Sequence, residues 1–261
     1  VSSVQLREIQ QRSRELGLPI AWFNQPAFRS RAVRALSIAT AQLEGATAPL
    51  DEYAAAFERG LAATSPTHRE DVAMALAYRD ALESQAFARL VDPTITWTLD
   101  DLQELHRLAC ASTRNPRVRE SLGRWRSVQV LTGESACAAL PPEVPAVMDV
   151  FLAWFRARAA CVDAGQASAV QLALDAYLQL DFVHPWSDCN GRTSRALLNA
   201  LLMRFGVSYT LHWPERADGD AMDALTSMID TQSRGFNGDR RAFYAQRVAW
   251  IAQTAASAGS T

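Results

Sequence analysis

Apolar residues recur at intervals of three and four along most of this chain. In one segment, from Arg192 through Leu197, Leu198, Leu201, Leu202 and Phe205 to Gly206, they cover most of the helical circumference. A helix apolar nearly all round has no face to offer water and must be enclosed by others. The sequence therefore predicts an all-α domain built round a central buried helix. Three further stripes supply enclosing layers. Phe28, Ala32, Ala35, Leu36, Ala39 and Leu43 share one face of a helix that Gly45 stops. Leu99, Leu102, Leu105 and Leu108 mark a second, with Thr98 and Asp100 placed to cap its start. Val170, Leu174, Tyr177, Leu178 and Phe182 form a third, ended by Pro185. Only Arg126 to Gly133 alternates like a strand. With the small residues and Leu140-Pro141-Pro142 that follow, it predicts one short, exposed β-hairpin.

The 261 residues, 49% of them apolar, are enough for a full core, and neither an internal repeat nor a Gly/Ser linker divides them. The organisation expected is an N-terminal helical layer over residues 1–95, a helical core over 96–250 and a frayed tail over 251–261. A net charge of −2 offers no field for a nucleic-acid backbone or an anionic membrane, so neither is expected as a partner. All 26 basic residues are arginine. That excludes a P-loop lysine, a Schiff base and a kinase strand lysine. Cys110, Cys137, Cys161 and Cys189 lack CxxC spacing and a neighbouring His, and are expected to be core thiols rather than zinc ligands or a redox dithiol. With no long uncharged apolar run and no signal-like start, a cytoplasmic protein is expected. A start at Val1 suggests a trimmed chain with flanking domains missing.

The chemistry concentrates in His184-Pro-Trp-Ser-Asp-Cys-Asn-Gly-Arg-Thr-Ser-Arg195. This is a helix end, a tight polar loop and the start of the buried helix, whose unpaired N–H groups and positive dipole end make an anion site. Asn190 and Gly191 allow close backbone approach. Arg192 and Arg195 lie one turn apart and lean toward the N-terminus, so both can reach an anion over the loop. Asp188 is a carboxylate suited to hold Mg²⁺ on a diphosphate. His184 is the one side chain there that exchanges protons near neutrality. A base, a metal carboxylate and a phosphate cradle so close together point to phosphoryl or nucleotidyl transfer.

This stretch resembles the signature of the Fic family, His-Pro-Phe-x-Asp/Glu-Gly-Asn-Gly-Arg-x-x-Arg. The likeness extends over roughly residues 97–239 and takes in Leu105-His106, Gly123-Arg124-Trp125-Arg126 and Pro141-Pro142. The resemblance implies an all-α core, here residues 96–250, that transfers AMP from ATP, with Mg²⁺, to a Tyr, Thr or Ser hydroxyl of a protein. By it, His184 deprotonates the hydroxyl and Asp188 binds the metal. Cys189 stands in the nucleotide loop, Asn190, Gly191 and Arg192 hold the α- and β-phosphates, and Arg195 holds the γ-phosphate. The hairpin, with Val128, Gln129, Val130 and Leu131, would dock an extended target by main-chain pairing.

Upstream, Thr40-Ala-Gln-Leu-Glu44-Gly45 resembles the family's inhibitory motif, in which the glutamate pairs with the signature's second arginine, here Arg195. Two departures stand out. Cys189 replaces a glycine, which strains the loop if its φ is positive, and Trp186 replaces phenylalanine. The tyrosine pair many members carry ahead of a Gly-Asp is missing at Ser227-Met228-Ile229, before Gly238-Asp239, which leaves the base preference open.

Plainer readings stand beside these. His184 alone could be a helix C-cap, Asp188 an N-cap and Glu44 a solvated carboxylate, while His106 and His212 are read as structural. Removal of AMP with Glu44 placing a water, transfer of UMP or another phosphate-containing group, and a silent interaction module closed by Cys189 are the rival functions. Homodimerisation stays open.

Overall fold

The computed structural model describes residues 26–132, 135–136 and 139–206. Its helices are α1 (Pro26–Leu43), α2 (Leu50–Arg59), α3 (Arg69–Leu82), α4 (Gln85–Val91), α5 (Leu99–Ala109), α6 (Pro116–Glu120), α7 (Val144–Asp163), α8 (Ala169–Val183) and α9 (Asn190–Arg204). Short 3₁₀ turns occupy Leu61–Ala63 and Pro141–Glu143. The tail, His212, Ser227 to Ile229 and Gly238-Asp239 lie outside the described residues.

Helix α9 is the buried centre that its composition requires: every residue from Arg192 to Met203 is buried. It packs against α8, α4 and α5, with α7 outside α8. The core is continuous from Val33 and Leu36 of α1, through Tyr78 and Leu82 of α3, to Leu197, Leu198 and Leu201 of α9. A smaller apolar cluster, with Tyr53, Ala56, Val72 and Ala75, joins α2 to α3 beneath the turn after α1.

Local signals end the elements. At the end of α1 the Gly45 N–H donates to the Gln42 carbonyl (2.9 Å) and the Ala46 N–H to that of Ala41 (3.0 Å). This double closure needs a left-handed residue, and Gly45 has φ 98°. The carboxylate expected to close the start of α5 is Asp101 rather than Asp100. Its Oδ2 accepts the Thr98 N–H at 2.8 Å, because the third helical position is the one that faces back to the cap.

Two expectations need correction. The hairpin is shorter and later than the alternation suggests. Its antiparallel pairs are Leu131↔Ala136 and Thr132↔Ser135, while Val128, Gln129 and Val130 lie outside any strand. The approach is bent there because the buried Arg126 guanidinium ties down the Val128 and Ala139 carbonyls (3.2 and 2.6 Å). Cys110 and Cys189 are not free thiols: they form a disulfide, 79 residues apart in sequence. Packing of α9 on α5 brings the end of one helix to the start of the other, a proximity that no sequence spacing encodes. Cys161 is a free thiol. Among the described residues no helix is long and apolar enough to cross a membrane.

Candidate active site

The site is the loop between α8 and α9. Its two ends carry the only non-glycine residues with positive φ among those described, His184 (51°) and Cys189 (60°). His184 is the C-cap of α8, with its N–H on the Leu180 carbonyl (3.0 Å). Its ring reaches back to the last turn of that helix. Nδ1 lies 3.1 Å from the Asp181 carbonyl. A carbonyl can only accept, so Nδ1 carries the proton and Nε2 the lone pair. Burial lowers the imidazole pKa, against the pull of Asp181, so the ring is neutral at physiological pH. Burial raises the pKa of the Asp181 carboxyl.

Arg126 holds this end of the loop. Its Nε donates to the His184 carbonyl (2.7 Å) and its own N–H to that of Pro185 (2.9 Å). The Trp186 ring, fully buried, stacks on His106 with centroids 4.6 Å apart and lies tilted against Trp125. Asn190 closes the loop on itself. Its Oδ1 accepts the Trp186 N–H (3.0 Å) and its Nδ2 donates to the Trp186 carbonyl (2.9 Å). Its side chain is therefore committed to shaping the loop. Asp188 is exposed, and one oxygen accepts the Cys189 N–H at 2.6 Å.

Beyond the loop, the first-turn N–H groups of α9 have no intrahelical acceptor. Gly191 leaves room above them: a β-carbon there would lie 3.1 Å from Arg195 Nη1 and 3.7 Å from Glu44 Oε1. Arg192 and Arg195 are buried, 6% and 5% exposed, at the end of a helix where a cation is disfavoured without an anion. The anion is Glu44. Its Oε1 is 2.5 Å from Arg195 Nη2 and its Oε2 is 3.7 Å from Arg192 Nε. Arg192 Nη1 donates to the Ala109 carbonyl (3.3 Å). The Nε atoms of both arginines nonetheless lack a hydrogen-bond acceptor. Such buried, unspent donors suit an anion with more oxygens than one carboxylate.

His184, Asp188, Cys189, Asn190, Gly191, Arg192, Arg195 and Glu44 are thus brought together. Thr40, one turn before Glu44, is buried and gives its carbonyl to the Glu44 N–H (3.3 Å). The sequence marks His106 as structural and takes in Arg126 through the resemblance, but assigns no residue to positioning the loop. Chief among the residues that do so are Arg126, Cys110 and His106, whose Nε2–H donates to the Asp188 carbonyl and whose Nδ1 accepts the Gly123 N–H, both at 3.0 Å. Gly123 has φ 72°, and a β-carbon there would meet the Gln103 carbonyl at 3.0 Å. The signal for Arg126 was an arginine between a tryptophan and an alternating run, a place where a solvated cation has little reason to be.

The helical bundle thus aims the N-terminus of its central helix, two buried arginines and an imidazole at one loop. Residues 96–202 match the model of the Fic/DOC family, so the chain carries a Fic domain. A protein adenylyltransferase Fic of Nematostella vectensis is 31% identical over 117 residues, which are 45% of this chain and 25% of the relative. One from Culex quinquefasciatus is 34% identical over 130 residues, 49% of this chain and 24% of that protein. The chain thus spans about a quarter of the length of these curated relatives. Among solved structures, a Fic domain containing signaling protein from Bacteroides thetaiotaomicron superposes with a TM-score of 0.65 at 21% identity, over 97% of this chain and 94% of that one. Fic-1 of C. elegans superposes with a TM-score of 0.62 at 22% identity, over 98% of this chain and 68% of that one. At these identities the likeness is one of fold.

Proposed function

We propose that this chain is a protein adenylyltransferase held in a self-inhibited state, transferring AMP from ATP to a Tyr, Thr or Ser hydroxyl of a target protein and of itself. The observation that carries the reading is His184, its Nδ1 turned to the Asp181 carbonyl, at the rim of a loop whose buried arginines keep unspent Nε donors. In the reaction, Nε2 of His184 takes the proton of the attacking hydroxyl. The hydroxyl oxygen bonds to the α-phosphorus, the bridge to the β-phosphate breaks, and diphosphate leaves. The remaining groups position and neutralise: the first-turn N–H groups of α9 and Arg192 hold the α- and β-phosphates, and Arg195 the γ-phosphate. The exposed Asp188 carboxylate, with one oxygen spent on an N–H, fits a Mg²⁺ ion that takes its other ligands from water and phosphate. When bound, Mg²⁺ supplies charge neutralisation on the diphosphate. The near-neutral charge balance supports a protein substrate over nucleic acid or a membrane surface.

Self-inhibition is supported by the Glu44–Arg195 pair, which takes the arginine that a γ-phosphate would use. ATP that binds beside it sits with its α-phosphate out of line, and a misplacement of about 1 Å costs on the order of 10²-fold in rate. Labelled ATP and each other nucleotide, given to the Glu44→Gly protein, test both parts. Strong self-labelling with ATP alone, far above wild type, is the expected result. Equal labelling of variant and wild type, with intact circular dichroism, would place control elsewhere.

A further inference from the structure

The last turn of α5 grips the loop at three consecutive points. The His106 ring donates to the Asp188 carbonyl, Cys110 is joined covalently to Cys189, and the Ala109 carbonyl accepts Arg192 Nη1. Cys110 is itself the C-cap of α5, its N–H on the His106 carbonyl (3.0 Å), so the bridge is rooted in a regular helix. Val118 of α6, with Leu122 just beyond it, covers the bridge, and Cys110 is fully buried.

Cys189 needs such a restraint. It is the N-cap of α9 in the left-handed region, where a β-carbon crowds the backbone and glycine is the usual occupant. Its side chain makes no capping hydrogen bond there. At the other left-handed residue, His184, hydrogen bonds from Arg126 and to Leu180 hold the strained backbone. At Cys189 the carbonyl accepts Thr193 N–H and Oγ1–H (3.1 and 3.0 Å), bonds internal to α9 that move with it, and the N–H is spent on the adjoining Asp188 carboxylate. The disulfide is the tie that joins this residue to another element.

We propose that the Cys110–Cys189 disulfide is the positioning element of the phosphate loop. Oxidised, it clamps Cys189 left-handed, so that the first turn of α9 and Arg192 converge on the nucleotide. Reduced, the loop relaxes and the site loosens. Reduction takes two electrons and two protons from a dithiol, which leaves as its own disulfide, and yields two thiols on the protein. Such bridges persist in oxidising compartments, which is where the clamped loop would be kept. The proposal rests on the nucleotide reading above for its ligand but not for its loop.

The experiment compares oxidised protein with dithiol-treated protein whose freed thiols are verified by alkylation and mass spectrometry. The readouts are hydrogen exchange over residues 186–193 and calorimetric binding of Mg·ATP. Reduction is expected to speed exchange in the loop by about tenfold, the factor that left-handed strain in a non-glycine residue represents, and to weaken binding by a similar factor, while α7 exchanges as before. Cys110→Ser should reproduce the reduced state without dithiol, which covers the case in which burial shields the bridge. Adding Cys189→Gly to Cys110→Ser should restore slow loop exchange and binding, since glycine takes the same backbone without strain. Unchanged loop exchange with verified free thiols would overturn the proposal. So would faster exchange throughout the molecule that Cys189→Gly fails to rescue, the mark of a bridge that only adds stability. If ATP binds in neither state, the adenylyltransferase reading falls, and loop exchange alone still decides the role of the bridge.

Discussion

His184 owes its basic form to the place where α8 stops. The residue caps the helix in the left-handed region, and the Asp181 carbonyl of the last turn fixes a proton on Nδ1. As the base of the proposed transfer His184 must be unprotonated, so the rate follows the fraction of neutral imidazole and falls as pH drops through its pKa. Burial shifts that pKa below the ordinary 6.5. The self-labelling rate of Glu44→Gly protein should therefore be flat through neutrality and decline on the acid side of 6.5. A midpoint at or above 7 would contradict the burial. His184→Ala should lose on the order of 10²–10⁴ in rate. Its affinity for ATP by calorimetry should stay close to that of the parent, because the phosphates are held by other groups.

Among the elements, α5 organises the loop through a histidine that takes no part in the proposed proton transfer. Both ring nitrogens of His106 are used, one as donor and one as acceptor, and burial lowers its pKa to about 4. In the unfolded chain the ring protonates near 6.5, whereas the folded protein resists until about pH 4. Between those values the unfolded state binds more protons, so stability falls as pH falls, by roughly 3 kcal/mol across the window. Thermal melts should trace this slope between pH 6.5 and 4, and His106→Gln should flatten it. The sequence carried the helices well wherever the apolar stripe was narrow, as in α1, α5 and α8, and it carried Gly45 as a stop because a left-handed closure favours glycine. It did not carry α7. Val144–Asp163, with Phe151, Trp154 and Phe155 buried, starts among prolines that read as loop. The signature loop was legible as a local string from His184 to Arg195. Its supports, Arg126, His106 and Cys110, come from elements distant in sequence, and only packing brings them to it.

On the scale of the whole molecule, the helix that carries Glu44 is built into the core. Val33 and Leu36 of α1 are 1% and 3% exposed and belong to the same apolar cluster as Leu197 and Leu201 of the central helix. Lifting α1 off as a unit would expose that core, at a cost in proportion to the apolar area uncovered. Release of the proposed self-inhibition should therefore be a local event at the end of α1, where Glu44 is partly exposed and a glycine closes the helix, with the helix itself left in place. Two kinds of variant separate the alternatives. Leu36→Ala, which empties a buried site, should cost about 2–5 kcal/mol and lower the melting temperature by several degrees, yet leave self-labelling low, because Glu44 still meets Arg195. Glu44→Gly should raise self-labelling even though it also lowers the melting temperature by leaving two buried arginines without their carboxylate, so the labelling is what separates the two. Arg195→Ala should not mimic it, since that change removes the phosphate ligand together with the partner of Glu44, and the double variant should behave as Arg195→Ala alone, the two residues acting as one unit. Leu36→Ala protein that labels itself as strongly as Glu44→Gly would mean that α1 does undock, and that the continuity of its packing with α9 does not restrain the switch.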